Sequence, residues 1–340
     1  MFAREVNENA AMQAVLADAL LWKVDCEKGE GIALAKKFEI RGYPTYIALN
    51  GQGEITDSWI GYEGPENWSA SVAAAKLDRR TIADKKAAFE AEPTLALARA
   101  LASDADTGSR YKDAVAYYGA ARELDPANAG DYDARILSSM IYGSQEDVFT
   151  PAEVVAQAEP AMASDETPVA DKLELALMIK SMAEQKDKIE LALPFLTAAM
   201  NASEGTTDEK ALKYRNYLAV DYALLVEKDP DKALGLRRDR LPEGWENDPK
   251  ELNGFAWWCF QNGLNLTEAQ ALALKGVELA ETDGEKANIL DTAAEISHAQ
   301  GDGDQALAHI RRAIELVPDK AYFKEQLARF EKALQEKNEG

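Results

Sequence analysis

Cysteine and histidine are scarce in this 340-residue chain: Cys26 and Cys259, His298 and His309. Two thiols so far apart define no disulfide framework, and neither belongs to a Cys-x-x-Cys. Each sits in an apolar run, where a free cysteine behaves as a small buried hydrophobe. Two imidazoles without a third ligand make no closed zinc site. Positive charge is short as well, with 38 Lys and Arg against 60 Asp and Glu. The resulting net charge of -22 repels a nucleic-acid backbone and disfavours anionic membrane surfaces. No apolar run is long enough to span a bilayer, and Met1–Val6 does not read as a secretory signal. Gly-x-Ser-x-Gly is absent, and Gly51 and Gly53 lie between strand patterns without the Lys and Ser/Thr of a phosphate loop. Acidic pairs are abundant, yet none is singled out by an apolar setting that would suit it to acid-base work. No residue is therefore assigned as catalytic, as a metal ligand or as a cofactor ligand.

The first 80 residues mix helical and strand periodicity. Phe2, Val6, Met12, Val15 and Leu16 predict two short helices broken near Asn7–Glu8–Asn9. An apolar strand pattern follows at 19–25, then a helix over Gly31–Phe38, a strand at 45–50, a glycine hairpin at Asn50–Gly53 and a partner strand at 55–62. Pro65 opens a helix with Trp68, Val72, Ala75 and Leu77 on one face. Between the helix pattern over Gly31–Phe38 and the strand at 45–50 stands Arg41-Gly42-Tyr43-Pro44-Thr45, where a proline without an N–H turns the chain sharply into a strand.

A strand ending in Val24-Asp25, the Ala35-Lys36-Lys37-Phe38 helix, the Gly-Tyr-Pro-Thr turn and the closing hairpin stand in one order that resembles the second half of a thioredoxin domain. The resemblance implies a cis Pro44 and makes Tyr43, Pro44 and Thr45 the turn that contacts substrate backbone. It also places the redox Cys-x-x-Cys just before Met1, so the chain is expected to be an N-terminally truncated form of a longer protein. By the same resemblance the central strand is missing. The strands at 19–25 and 45–50 then close on each other, leave a gap, or receive a strand from another chain.

From residue 81 onward strand signals stop. In Tyr111–Pro126, Ala114, Tyr118, Ala121 and Pro126 hold the spacing of the second helix of a tetratricopeptide repeat, which this stretch resembles. Ala306, Ile310, Ala313 and Pro318 repeat it, preceded by Leu290, Ala293 and Ala294 and the Gly301–Asp304 turn. A neighbouring unit carries Ala256, Trp257 and Phe260, then Ala269, Ala273 and Gly276; weaker ones lie around Ala192-Leu196-Ala199 and Ala233. Small residues let antiparallel helices approach while the aromatic fills the groove between pairs. Tyr322–Leu334 predicts a polar-faced capping helix, and Leu236–Arg240 is the basic cluster, read as a solvated face.

The expected fold class is thus an α/β partial thioredoxin-like unit at 1–80 followed by an all-α tetratricopeptide-like array at 81–340. The expected function is protein interaction: a client protein or peptide on the array, with Tyr117, Tyr118, Trp257 and Trp258 as groove aromatics and a redox-silent end piece. The alternative is a thiol-disulfide oxidoreductase of the thioredoxin family whose Cys-x-x-Cys lies upstream of Met1. No nucleic-acid or membrane partner and no cofactor is expected. With no targeting signal in the chain, the compartment is the cytoplasm or, given a longer native start, the bacterial envelope.

Overall fold

Small apolar residues at helical spacing dominate the chain, and helices dominate the fold. The structure, a computed structural model, describes residues 2–339, with side chains from 4 to 337. Helices α1 (Phe2–Glu8) and α2 (Ala10–Leu16) break where the sequence predicts: the Asn9 side chain accepts from the N–H groups of Ala11 and Met12 and caps the second helix. Helix α3 (Glu30–Lys37) precedes the strands β1 (Thr45–Leu49) and β2 (Ile55–Ile60), and α4 (Pro65–Leu77) starts on its proline.

The strand expected at 19–25 does not form. Leu20 to Asp25 run without regular structure, and Leu20 is 95% exposed. Among the described residues the sheet is β1 and β2 alone, paired antiparallel from Thr45 opposite Ile60 to Ala48 opposite Asp57. An apolar run becomes a strand only when a neighbouring strand takes its backbone hydrogen bonds, and among the described residues no strand pairs with 20–25. The expected thioredoxin-like layer is therefore reduced to a hairpin. Gly31 is required where this run passes α3, because a Cβ there would lie 2.0 Å from the Asp25 carbonyl oxygen.

The hairpin is held from two sides. Tyr46 stacks on Trp59, and both join Trp68 of α4 and Met12 of α2 in a small core. Helices α5 (Ile82–Ala91) and α6 (Leu95–Thr107) pack along β2. Lys85 of α5 is 1% exposed; its Nζ donates to the Thr56 carbonyl at 2.7 Å and to the Asp57 carboxylate at 2.8 Å. Ser103 of α6 donates to the Ser58 carbonyl, and Ser58 Oγ donates to Asp104. The outward carbonyls of Thr56 and Ser58 on β2 are thus each met by a side chain.

The helices continue as α7 (Tyr111–Leu124), α8 (Ala129–Gln145), α9 (Pro151–Ala163), α10 (Val169–Gln185), α11 (Leu193–Ala202), α12 (Glu209–Leu225), α13 (Pro230–Asp239), α14 (Pro249–Gln261), α15 (Leu266–Leu279), α16 (Asp283–Ala299), α17 (Gly303–Leu316) and α18 (Ala321–Glu339). Thr81, Thr94, Thr150 and Thr282 each cap the following helix through the hydroxyl, and at Thr150 the Glu153 side chain completes a capping box. Two compact units divide between Leu218 and Ala219, within α12.

In the first unit α6 packs on α7 and α10 on α11; in the second α14 packs on α15 and α16 on α17. The small residues that define the repeats sit at these crossings. Ala114 and Ala121, Ala192, Leu196 and Ala199, Ala269 and Ala273, and Ala306, Ile310 and Ala313 are all fully buried. Alanine and glycine keep the axes close, as at Gly276, where an added Cβ would stand 3.4 Å from the Pro249 carbonyl oxygen. Side-chain burial across such contacts supplies the stability of an array whose helices could not persist alone. The expected cap, α18, buries Phe323 and Phe330 against α16 and α17 and leaves a charged outer face.

Candidate functional site

In the second unit α14, α16 and α18 follow one another on the same side of the stack, each the first helix of its pair or the cap. Between the first turns of α14 and α16 lies a recess of about 570 Å³, walled by Pro249, Lys250 and Asn253 on one side and by Thr282, Glu285 and Asn288 on the other. Its shape follows from the local sequence. Pro249 and Thr282 begin the two helices side by side, and Gly284 contributes no side chain to fill the space between them.

The wall is polar. Asn253 Oδ1 is buried without a hydrogen-bond donor. Asn288 Oδ1 accepts from Lys320 Nζ at 2.8 Å. Further along α16, Asp291 is 9% exposed; its Oδ2 accepts from the Tyr322 hydroxyl at 3.2 Å, and its Oδ1 has no donor. Glu295, one turn on, is paired with Arg329 of α18. Burial, reinforced by the Glu295 charge, pushes the Asp291 carboxyl up to about 6. This corrects the expectation that no acidic residue stands in an apolar setting: Asp291 lies in a stretch of α16 buried continuously from Ile289 to Ser297. Packing on α14, α15, α17 and α18 covers this stretch.

The residues singled out from the sequence are not brought together. Tyr118 faces the core and is 5% exposed, so it lines no groove; Tyr117 is half-buried, edge-on to Phe89. Trp257 is half-buried against Phe260, and Trp258 against Phe255. These four aromatics divide between the two units, and packing within each unit occupies most of their surface. The Tyr43–Pro44 peptide is cis, as the resemblance implies, Tyr43 is 63% exposed, and Thr45 Oγ1 donates to the Gly42 carbonyl.

The remaining reactive groups have structural settings. Cys259 is buried in the core of the second unit, where desolvation pushes its thiol up to about 11, unsuited to thiolate chemistry. The His298 ring packs on Phe330, and His309 lies 3.2 Å from Gln270. Among the described residues no group of three His, Cys, Asp or Glu side chains is placed to hold a metal ion, and no helix is long and apolar enough to cross a membrane. The basic cluster is partly spent internally, with Arg238 on Glu268 at 2.8 Å.

Fold and site together define a protein of helical hairpins with a polar recess in its second unit. No family model matches the chain, and no curated protein does. Among solved structures it is similar to a tetratricopeptide repeat protein from Parabacteroides merdae ATCC 43184, at 17% identity over 73% of this chain and 90% of that one, with a TM-score of 0.40. It is also similar to BtubC (BKLC) from P. vanneervenii, at 16% identity over 70% and 90% of the two chains, with a TM-score of 0.32. The helical-repeat description rests on the hairpins themselves rather than on likenesses of this size.

Proposed function

We propose that this chain is a protein-interaction scaffold whose helical array receives a segment of a client protein along α14, α16 and α18. The observation that carries this reading is the recess between the first turns of α14 and α16, a preformed opening between two helices of the array. Trp257 and Trp258 lie further along α14, each half-buried. The residues 1–80 form a redox-silent, thioredoxin-like end piece that offers Tyr43, Pro44 and Thr45 to the client backbone.

Site-specific photocrosslinking in the native host tests it. A benzophenone side chain at position 250, on the exposed rim of the recess, is expected to give discrete crosslinked species identified by mass spectrometry. The same probe at position 278, an exposed site on α15, is the control. Absence of any species specific to position 250 overturns the reading.

A further inference from the structure

An open strand edge is a row of unpaired N–H and C=O groups that another strand can take up, and proteins guard it with a charge, a proline or a bulge. The outer edge of β1 is open and has none of these guards. At one end of the strand the Gly61 N–H donates to the Pro44 carbonyl, and at the other the Asn50 N–H donates to the Glu54 carbonyl. Alternation between these two points aims the backbone groups of Tyr46 and Ala48 at β2 and those of Thr45, Ile47 and Leu49 away from it. Among the described residues no third strand takes the outward groups, and no backbone hydrogen bond from elsewhere reaches them. The proline of this stretch, Pro44, faces β2 with its missing N–H, so the outward row keeps all its donors. The irregular step in the pairing puts its extra residue, Thr56, on β2 and leaves β1 regular. Gly42–Leu49 also carries no charged side chain, in a chain of net charge -22.

We propose that a second copy of this chain covers the edge, with β1 pairing antiparallel to β1 of the other copy about a twofold axis at Ile47. In this register Thr45 stands opposite Leu49 of the second copy, Ile47 opposite Ile47, and Leu49 opposite Thr45. Each opposed pair exchanges two hydrogen bonds, so every outward group of the strand gains a partner. Pro44 and the Asn50–Gly53 turn bound the same five residues in both copies, which makes the two edges equal in length. The exposed Leu49 side chain comes against Thr45, and the two Ile47 side chains meet on the axis. Charge selects the occupant. Two strongly acidic copies repel wherever their acidic surfaces meet, and the uncharged edge is where that repulsion is least. Five residues a side are few against the roughly 20–30 a side of a lasting interface, so the pair forms reversibly and at high concentration. The inference is independent of the recess in the second unit. In the paired form the Thr45 backbone belongs to the second copy, and a client meets the turn through Tyr43 and Pro44.

The full chain tests it in two ways. Sedimentation equilibrium is expected to show monomer and dimer exchanging between about 10 μM and 1 mM, with more dimer as added salt screens the acidic surfaces. Single cysteines in a Cys26→Ser background then read the register, Cys259 being buried. Opposed residues of a hydrogen-bonded pair have Cα atoms about 5.5 Å apart, within reach of a disulfide. Two copies of position 45 lie four residues out of step, roughly 14 Å apart along the strands. Under mild oxidation Ile47→Cys is expected to form covalent dimers about tenfold or more faster than Thr45→Cys. Leu77→Cys, at an exposed apolar position on α4, controls for chance collision and is expected to be as slow as Thr45→Cys. A chain that stays monomeric at every concentration overturns the proposal, as does crosslinking at 45 or 77 that matches 47. If Ile47→Cys is instead captured by another polypeptide while the chain remains monomeric, the edge belongs to a client and the twofold pairing fails.

Discussion

Lys85 shows how much a single buried charge organises. Its ammonium leaves water to meet the Thr56 carbonyl and the Asp57 carboxylate, and burial raises the Asp57 carboxyl even against the pull of that lysine. The pair is a connector between hairpin and helices rather than a large net source of stability, since desolvation offsets most of the attraction. Breaking it is different. Lys85→Met is expected to destabilise the chain by roughly 3–5 kcal/mol in urea unfolding, because Asp57 is left as an uncompensated buried charge. Adding Asp57→Asn should recover part of that loss, and the cycle of the two measures their coupling. Asp291 makes a second case, with the sign reversed. Its carboxyl is held at about 6 in the folded chain, above the unfolded value, so the folded state binds more protons between these values. Stability then falls as pH rises from about 4 to about 6 and stays lower above it. Asp291→Asn is expected to raise the melting temperature at pH 7, with the gain vanishing below pH 4.

At the scale of elements, the two edges of the β-hairpin differ. The Gly61 N–H bonds the Pro44 carbonyl, so alternation turns the backbone groups of Thr45 and Ile47 away from β2. Among the described residues they meet no partner of the kind that Lys85 and Ser103 provide along β2. The stretch Gly42–Leu49 carries no charge, which leaves the edge without the usual protection against pairing with other chains. Leu49→Lys, at an exposed position on that edge, is expected to reduce concentration-dependent self-association in light scattering without changing the helical circular dichroism. If association is unchanged, the edge is not the contact. The helices of the array face no such exposure. Their backbone groups are largely satisfied internally, and threonine hydroxyls at several starts each accept from one of the first N–H groups.

At the scale of the whole molecule, the two compact units have separate cores. That of the second joins Phe255, Cys259, Ala273, Leu290, Ile310, Phe323 and Phe330 across the five consecutive helices α14 to α18. A fragment of residues 219–340 is therefore expected to fold by itself, with cooperative thermal unfolding and native-like helix content by circular dichroism. A fragment of 81–218 is expected to be much less stable than the same residues in the full chain, because Lys85 and Asp104 lose the hairpin groups that satisfy them. Non-cooperative melting of 219–340 would show that its core depends on the rest of the chain.

The helical half was largely legible in the sequence because its rule is local. Small and aliphatic residues three and four apart, with a capping residue before the run, specify a helix and the face it buries, as at Asp302, Ala306, Ile310 and Ala313. The hairpin of β1 and β2 was equally plain, since its turn closes within a few residues. The run at 19–25 was misread because a strand depends on what lies beside it, and sequence periodicity carries no record of that neighbour. The recess and Asp291 escaped notice for a related reason. An acidic residue reads as solvated until neighbouring helices cover it, and only their packing leaves Asp291 Oδ1 without a donor and opens the space between Asn253 and Glu285. Local spacing determined which segments are helical and which faces they bury; burial of the charged residues, and with it the candidate site, was decided by long-range packing, because desolvation depends on every neighbour at once.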